Sequence, residues 1–139
     1  NRDHEGEELL ILFADLDHLK EINDSFGHIE GDFSIRHCAE VLKKVVGADG
    51  IVGRIGGDEF CVVTLGNLKD GQQIIERIRE ESDAFNCTSD KEYYVELSAG
   101  CTSVICRNGL VIADALREAD RALYEVKKLR RNSVKKIRL

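Results

Sequence analysis

The feature that most constrains this chain is a glycine pair followed by two acidic residues, set between two apolar runs. Residues 54–60 read Arg-Ile-Gly-Gly-Asp-Glu-Phe, with Gly-Ile-Val-Gly before them and Cys-Val-Val-Thr-Leu after them. Two short β-type runs joined in this way predict a β-hairpin with a tight turn. Glycine at positions 56 and 57 tolerates positive φ angles and lets a ligand approach the backbone closely.

Two carboxylates, Asp58 and Glu59, lie at the tip of this predicted hairpin, where packing does not explain them. Adjacent acidic side chains repel each other, and a bound cation is the usual way to relieve that repulsion. The alternative interpretation is a solvated acidic turn, which a motif of this length does not exclude by itself.

A second acidic site follows the apolar run of residues 9–14, which is typical of a strand covered on both faces. The run is followed directly by Asp15, Leu16 and Asp17. If the hairpin pairs beside this strand, the carboxylates of Asp15 and Asp58 converge on one point. Two carboxylates and a backbone carbonyl are hard oxygen ligands that suit Mg²⁺. The sequence therefore predicts a magnesium site where the strand meets the hairpin.

The remaining periodicity predicts helices that alternate with strands, and therefore a central mixed sheet with helices packed on it. Asp32 is expected to cap the second helix, after a loop at residues 27–31. The predicted elements are a short helix at 18–25, a helix at 32–46 with Cys38, Val41, Leu42 and Val45 on its apolar face, a helix at 70–85, a strand at 93–106 with Tyr93, Val95, Leu97, Ala99 and Cys101 on one face, a helix at 112–129 and an edge strand at 133–139.

Composition predicts a single soluble domain over residues 1–139. Hydrophobic residues make up 42% of the chain and charged residues 33%, which is ordinary for a globular protein. The sequence contains neither an apolar run of transmembrane length nor a visible signal peptide. The five cysteines lack C-x-x-C spacing and are interpreted as apolar thiols in a reducing compartment. We therefore expect a cytoplasmic location, with any membrane anchor in a region that precedes this chain.

The charge is unevenly distributed. A net charge of −6 disfavours a general nucleic-acid binder, which needs a basic surface. From residue 121 onward, however, eight basic residues accompany a single acidic one. This basic end is either a solvated helix face or a contact for polyphosphate.

Three separated motifs resemble the GGDEF family of diguanylate cyclases, in the order in which that family carries them. They are residues 15–28 with Gly31 and Asp32, residues 54–60, and residues 119–127. The resemblance covers nearly the whole chain. It implies the palm-like βααββαβ core of nucleotide cyclases and polymerases, with a five-stranded, mostly antiparallel sheet.

The resemblance also implies a role for each matching residue. The roles are metal binding for Asp15, the carbonyl of Leu16, Asp58 and Glu59; catalysis for Asp15, Asp58, Glu59 and Lys20; guanine recognition for Asn23 and Asp32; and phosphate binding for Lys20, Lys127 and Arg131 beside Gly56 and Gly57. The cofactor implied is Mg²⁺, or else Mn²⁺, with two ions in each half-site. The loop histidines His18 and His28 are expected to form hydrogen bonds rather than to catalyse.

The implied reaction joins two GTP into cyclic di-GMP and two pyrophosphates. Each chain supplies half of the site, so an antiparallel homodimer and an upstream sensor domain are expected. One alternative is a cyclase or polymerase relative that uses another nucleotide, although Asp32 argues against adenine. The main alternative is a catalytically silent domain that binds GTP or another protein. Two departures favour that alternative: Leu19 replaces the usual Phe, and Arg130 replaces the usual Gly.

The product-inhibition motif of many family members, Arg-x-x-Asp, falls here on Gly47 and Gly50. Neither glycine can provide the side chain that the motif supplies. We therefore expect no product inhibition through that site.

Overall fold

The fold places one strand at the centre of a sheet, with helices packed against it. The computed structural model describes residues 8–48, 50–105, 117, 121 and 124. Its elements are β1 (Glu8–Leu16), α1 (Leu19–Phe26), α2 (His28–Val46), β2 (Ile51–Arg54), β3 (Glu59–Leu65), α3 (Leu68–Thr88) and β4 (Leu97–Ile105). Their order along the chain is the βααββαβ order that the family resemblance implies.

The described part of the sheet contains four strands in the order β2-β3-β1-β4, and each neighbouring pair is antiparallel. The helix predicted at 112–129 and the strand predicted at 133–139 lie outside the described residues, apart from three helical positions, Arg117, Arg121 and Tyr124. The described strand pairs contain no parallel pairing, so a mixed sheet is not observed in this part of the chain.

The central position of β1 explains its unbroken apolar sequence. Leu10, Leu12, Ala14 and Leu16 are completely buried, and Ile11 on the opposite face is nearly so. Burial of this kind contributes about 25 cal/mol per Å² of apolar surface, so β1 anchors the core. The predicted apolar face of α2 packs against the same core. The ends of β1 are thereby held rigidly for whatever site they carry.

The helix starts differ from the predicted ones. Helix α2 begins at His28, and Gly27 alone separates it from α1. Gly27 turns the chain within a single residue because it adopts a φ of 96°, a conformation that favours glycine. The loop predicted at residues 27–31 is therefore wrong, and Asp32 lies inside α2 instead of capping it.

The third helix and the last described strand also start elsewhere than predicted. Helix α3 begins two residues earlier than expected because Asn67 and Asp70 form a reciprocal capping box. Regular pairing in β4 begins at Leu97 instead of Tyr93. The predicted inward face is nevertheless observed, since Tyr93, Val95, Leu97 and Ala99 are buried and Cys101 is half-buried.

Four of the five cysteines lie in the described region, and none of those four forms a disulfide. Cys38 is buried in the core, and burial raises the pKa of its thiol. Among the described helices, none has the length and apolar character needed to cross a bilayer.

Candidate active site

The end of β1 and the loop of the β2–β3 hairpin lie side by side. The amide of Leu16 donates a hydrogen bond of 2.8 Å to the carbonyl of Asp58. In the same ladder Asp15 is opposite Glu59 on β3. Asp15, Asp58 and Glu59 therefore lie on adjacent backbone segments, as expected if the hairpin pairs beside the strand.

The hairpin loop is held by backbone bonds and by one arginine. The amide of Ile55 donates to the carbonyl of Glu59 at 2.9 Å. The guanidinium of Arg54 donates to the carbonyls of Gly56 at 3.0 Å and of Gly57 at 2.9 Å. Sequence reasoning assigned no role to Arg54, although its place at the start of the motif could have indicated one. It fixes the loop that carries Asp58.

The two loop glycines do not use the positive φ angles that glycine tolerates. Positive φ angles occur at Gly27, Gly47 and Gly66, but at neither Gly56 nor Gly57. A Cβ placed on Gly57 would meet nothing within 4 Å. Glycine here leaves open space beside the backbone, which agrees with the second role that we expected, the close approach of a ligand.

The donor set at this junction suits a hard divalent cation. Asp15 is only 5% exposed, whereas Asp58 and Glu59 are half-buried. A buried carboxylate beside other acids is costly unless a cation compensates it. Over the described residues, no three His, Cys, Asp or Glu side chains are grouped closely enough to enclose a metal. Asp15, Asp58 and the Leu16 carbonyl nevertheless offer oxygen ligands, and a hard cation such as Mg²⁺ needs few of them because it fills its other positions with water and phosphate oxygens.

A buried hydrogen bond supports the turn between β1 and α1. The hydroxyl of Ser98, which is fully buried, lies 2.9 and 2.8 Å from the two carboxylate oxygens of Asp17. The amide of Asp17 also donates to the carbonyl of Glu96 at 2.9 Å. Sequence reasoning missed Ser98, although a hydroxyl residue within an apolar strand was a usable signal. The pair orients the backbone immediately after Leu16.

His18 completes this turn in a left-handed conformation, with a φ of 62°. Its Nδ1 lies 3.0 Å from the Glu21 carboxylate. That contact is the main reason why the pKa of Glu21 lies below its usual value. The interaction agrees with the hydrogen-bonding role expected for this histidine.

Lys20, a predicted phosphate ligand, lies on the exposed face of α1. Its ammonium is 2.8 Å from the carboxylate of Asp24, and the lysine side chain is 85% exposed. The hydrogen bond to Asp24 raises the pKa of Lys20. Lys20 must therefore leave Asp24 to bind an incoming phosphate. Breaking this ion pair costs little free energy because both side chains are exposed to solvent.

The predicted guanine pair, Asn23 and Asp32, lies on two helices that touch. A Cβ placed on Gly31 of α2 would be 1.8 Å from Oδ1 of Asn23 on α1. The Asn23 amide therefore packs against α2, one residue before the exposed Asp32. The absence of a side chain at Gly31 makes this approach possible.

The remaining predicted phosphate ligands, Lys127 and Arg131, lie outside the described residues, as does Arg130. Leu19 is half-buried and packs against the core. It therefore provides apolar contact at the position where the family usually has Phe.

Comparison with known proteins identifies the family. The model of the GGDEF diguanylate cyclase domain matches residues 1–133. The chain is 34% identical over 130 residues to the probable diguanylate cyclase DgcT of Escherichia coli K12, covering 89% of this chain and 28% of that protein. It is 38% identical over 128 residues to the diguanylate cyclase DgcP of the same strain, covering 90% and 37%. The chain thus spans well under half the length of these relatives.

Solved structures agree with this match. One is the active GGEEF domain of a diguanylate cyclase from Vibrio cholerae, with 29% identity, a TM-score of 0.74, and coverage of 88% of this chain and 78% of that one. Another is the GGDEF domain of DgcB from Caulobacter crescentus in complex with c-di-GMP, with 28% identity, a TM-score of 0.79, and coverage of 94% and 78%. This chain belongs to the GGDEF diguanylate cyclase domain family.

Proposed function

We propose that this domain is a diguanylate cyclase, which condenses two GTP into cyclic di-GMP and releases two pyrophosphates. The observation that carries the proposal is the 2.8 Å hydrogen bond between the Leu16 amide and the Asp58 carbonyl. It holds the end of the central strand against the hairpin loop, and this backbone proximity supports the proposal that the acids of both segments act together. Family membership supplies the reaction type.

In this proposal Asp15, Asp58 and the carbonyl of Leu16 hold the metal, with Glu59 beside them. Bound Mg²⁺ or Mn²⁺, as two ions in each half-site, would neutralise phosphate charge and support the displacement at phosphorus. Open space at Gly57 leaves room for the phosphates. Lys20, Lys127 and Arg131 bind the phosphate charge.

The bond changes balance without an additional reactant. The 3′-oxygen of one GTP forms a bond to the α-phosphorus of the other, and the bond between the α-phosphorus and the bridging oxygen breaks. Pyrophosphate leaves, and the hydroxyl proton passes to Glu59 or to water. The second, reciprocal attack closes the ring.

Because one site holds one GTP, two chains must face each other antiparallel for each 3′-hydroxyl to reach the other α-phosphate. Holding the two nucleotides in this orientation accounts for much of the acceleration, so dimerisation is the natural point of control. The proposal includes an upstream sensor domain, a cytoplasmic location and a five-stranded palm-like core.

The proposal includes no product inhibition through the positions of the Arg-x-x-Asp motif. Gly47 has a φ of 85°, which a side chain rarely adopts. A Cβ on Gly50 would lie 2.1 Å from Cγ1 of Val46. Both positions therefore lack the side chains that the motif requires, and the structure around them also disfavours such side chains.

The test is to incubate the purified chain with GTP and Mg²⁺ and to resolve the products by chromatography. Formation of cyclic di-GMP with two pyrophosphates is expected. Binding of GTP by a demonstrated dimer without conversion would instead support the silent regulatory domain. Turnover of ATP would contradict the guanine assignment.

A further inference from the structure

The junction between α1 and α2 carries the two residues that are proposed to read guanine. Asn23 packs on Gly31, and Asp32 follows directly. Only Gly27 connects the two helices. The relative position of Asn23 and Asp32 therefore depends on the side-chain contacts that hold α1 and α2 together at this end.

Glu30, the residue before Gly31, binds two side chains from the segment between α3 and β4. The hydroxyl of Tyr93 donates to Oε1 of Glu30 at 2.5 Å, and the ammonium of Lys91 lies 2.9 Å from the same oxygen. These two contacts lower the pKa of Glu30, with the Tyr93 hydrogen bond as the larger cause. Hydrogen bonds to a charged group are stronger than neutral ones.

Tyr93 also contacts the other helix. Its ring lies 5.0 Å from the ring of Phe26, the last residue of α1, and Tyr93 is only 1% exposed. The same side chain thus touches the end of α1 through its ring and the start of α2 through its hydroxyl. A buried aromatic residue in this position resists sliding of one helix along the other.

Lys91 extends the contact to the residue after Asp32. Its ammonium lies 4.5 Å from the centre of the Phe33 ring, in the geometry of a cation–π interaction. Lys91 and Glu30 are 30% and 29% exposed, so their ion pair is partly shielded from water. The contacts of Tyr93 and Lys91 with α2 thus fall on Glu30 and Phe33, the two residues that flank Gly31 and Asp32 in sequence.

We propose that Glu30, Tyr93 and Lys91 form a base latch, which positions Asn23 and Asp32 and so determines how strongly the site selects guanine. The inference rests on the proposed function of that pair. The latch residues are positioning residues, because they act on the base through the α1–α2 junction. Tyr93 and Lys91 both lie outside the three sequence motifs.

One carboxylate, such as that of Asp32, can accept hydrogen bonds from the N1–H and the exocyclic amino group of guanine together. The experiment compares nucleotides that differ only in that amino group. Inosine lacks the exocyclic amino group of guanine, and 3′-deoxynucleotides lack the attacking hydroxyl, so binding is measured without turnover. Calorimetry with saturating Mg²⁺ gives the Kd of 3′-deoxy-GTP and of 3′-deoxy-ITP for wild type, Tyr93→Phe and Glu30→Gln. Tyr93→Phe keeps the ring against Phe26 and removes only the hydroxyl.

Wild type is expected to prefer 3′-deoxy-GTP. Each latch variant is expected to lose about three- to tenfold of that preference, the scale of one hydrogen bond to a charged group, with affinity for 3′-deoxy-ITP nearly unchanged. The matched control is Glu40→Gln, on an exposed position of the same helix, and it should keep the wild-type ratio.

Three results overturn the inference. An unchanged ratio in both folded variants means that the latch does not position the pair. An equal loss of affinity for both nucleotides means that it only stabilises the domain. Absence of a preference in wild type refutes the guanine assignment itself, and the wild-type measurement alone reveals that failure.

Discussion

The two ends of the candidate site are built by different means. At the metal end, where Asp15, Asp58 and Glu59 lie, backbone hydrogen bonds join the end of β1 to the hairpin loop. The bond between Leu16 and Asp58 is one of them. At the base end, the α1–α2 junction is held by side chains, with Asn23 packed on Gly31 and Tyr93 joining both helices. Backbone bonds survive most substitutions, whereas side-chain contacts do not.

This difference predicts separable behaviour. Changes of the acidic side chains at the metal end, Asp15, Asp58 and Glu59, should remove chemistry and leave the backbone geometry intact. Changes at the base end should move the geometry and so alter affinity for the nucleotide. The following predictions begin with the largest effect.

Asp58→Asn tests the metal end. We expect a loss of turnover of about 10²- to 10³-fold or more, since a charge needed at the reacting phosphate is removed. The melting temperature should change little because the Asp58 contact to Leu16 uses the backbone carbonyl. Cyclic di-GMP formation and thermal unfolding are the measurements. Asp83→Asn, on the exposed side of α3, is the control, and surviving activity in Asp58→Asn would contradict the metal assignment.

Gly31→Ala tests the base end. The new Cβ would lie 1.8 Å from Oδ1 of Asn23, so the amide must move or the helices must separate. We expect a loss of about 1–3 kcal/mol of unfolding free energy, against the gain of up to about 1 kcal/mol that alanine usually brings to a helix. The KM for GTP should rise more than kcat falls.

The matched glycine is Gly53, where a Cβ would meet nothing within 4 Å. Gly53→Ala should therefore leave affinity for GTP unchanged. Equal kinetics in the two alanine variants would show that Asn23 does not need its place against Gly31. Denaturant unfolding and steady-state kinetics provide both measurements.

Ser98→Ala tests the turn that links β1 to α1. The buried carboxylate of Asp17 would lose a hydrogen bond, at a cost of about 1–3 kcal/mol. The concentration of Mg²⁺ needed for half-maximal activity should also rise, because the backbone after Leu16 is less firmly held. Ser103→Ala, in the same strand but half-buried at its other end, is the control. If the two variants unfold alike, the Ser98 contact contributes no more stability than an ordinary hydroxyl in β4.

The smallest predicted effect concerns pH and the base latch. Burial and the bond to Glu30 raise the pKa of Tyr93 from its ordinary value of 10 to about 12. Because the folded-state pKa is raised, this hydroxyl's contribution to stability is complete below pH 10 and is lost as the pH rises toward 12. Between about pH 10 and 12, stability should fall more steeply in wild type than in Tyr93→Phe. Parallel urea unfolding curves for the two proteins in that range would contradict the expectation.

Much of the site could be predicted because its motifs are local. The apolar run before Asp15 predicted a buried strand, and the two runs around Gly56 and Gly57 predicted a hairpin. Both predictions are confirmed by the described structure. Pairing of the hairpin beside the strand was a conditional expectation, and the ladder between Asp15 and Glu59 confirms it.

Other features could not be predicted because they depend on a backbone conformation that residue type does not impose, or on neighbours far apart in the sequence. The start of α2 at His28 depends on the backbone conformation of Gly27, which residue type alone permits but does not impose. The role of Ser98 depends on Asp17, 81 residues away. Tyr93 was predicted to lie on one face of a strand, and only the fold shows that its hydroxyl reaches Glu30.

The amino-acid sequence alone determined the chemistry available to this protein: acids at the end of a buried strand and in a glycine hairpin, within motifs of the GGDEF family. It could do so because residue type and spacing decide which groups are present and which face of an element they occupy. Tertiary structure alone decided which groups touch, since packing of separate elements depends on the backbone path between them. The contact of Leu16 with Asp58 and the approach of Asn23 to Gly31 belong to that second class.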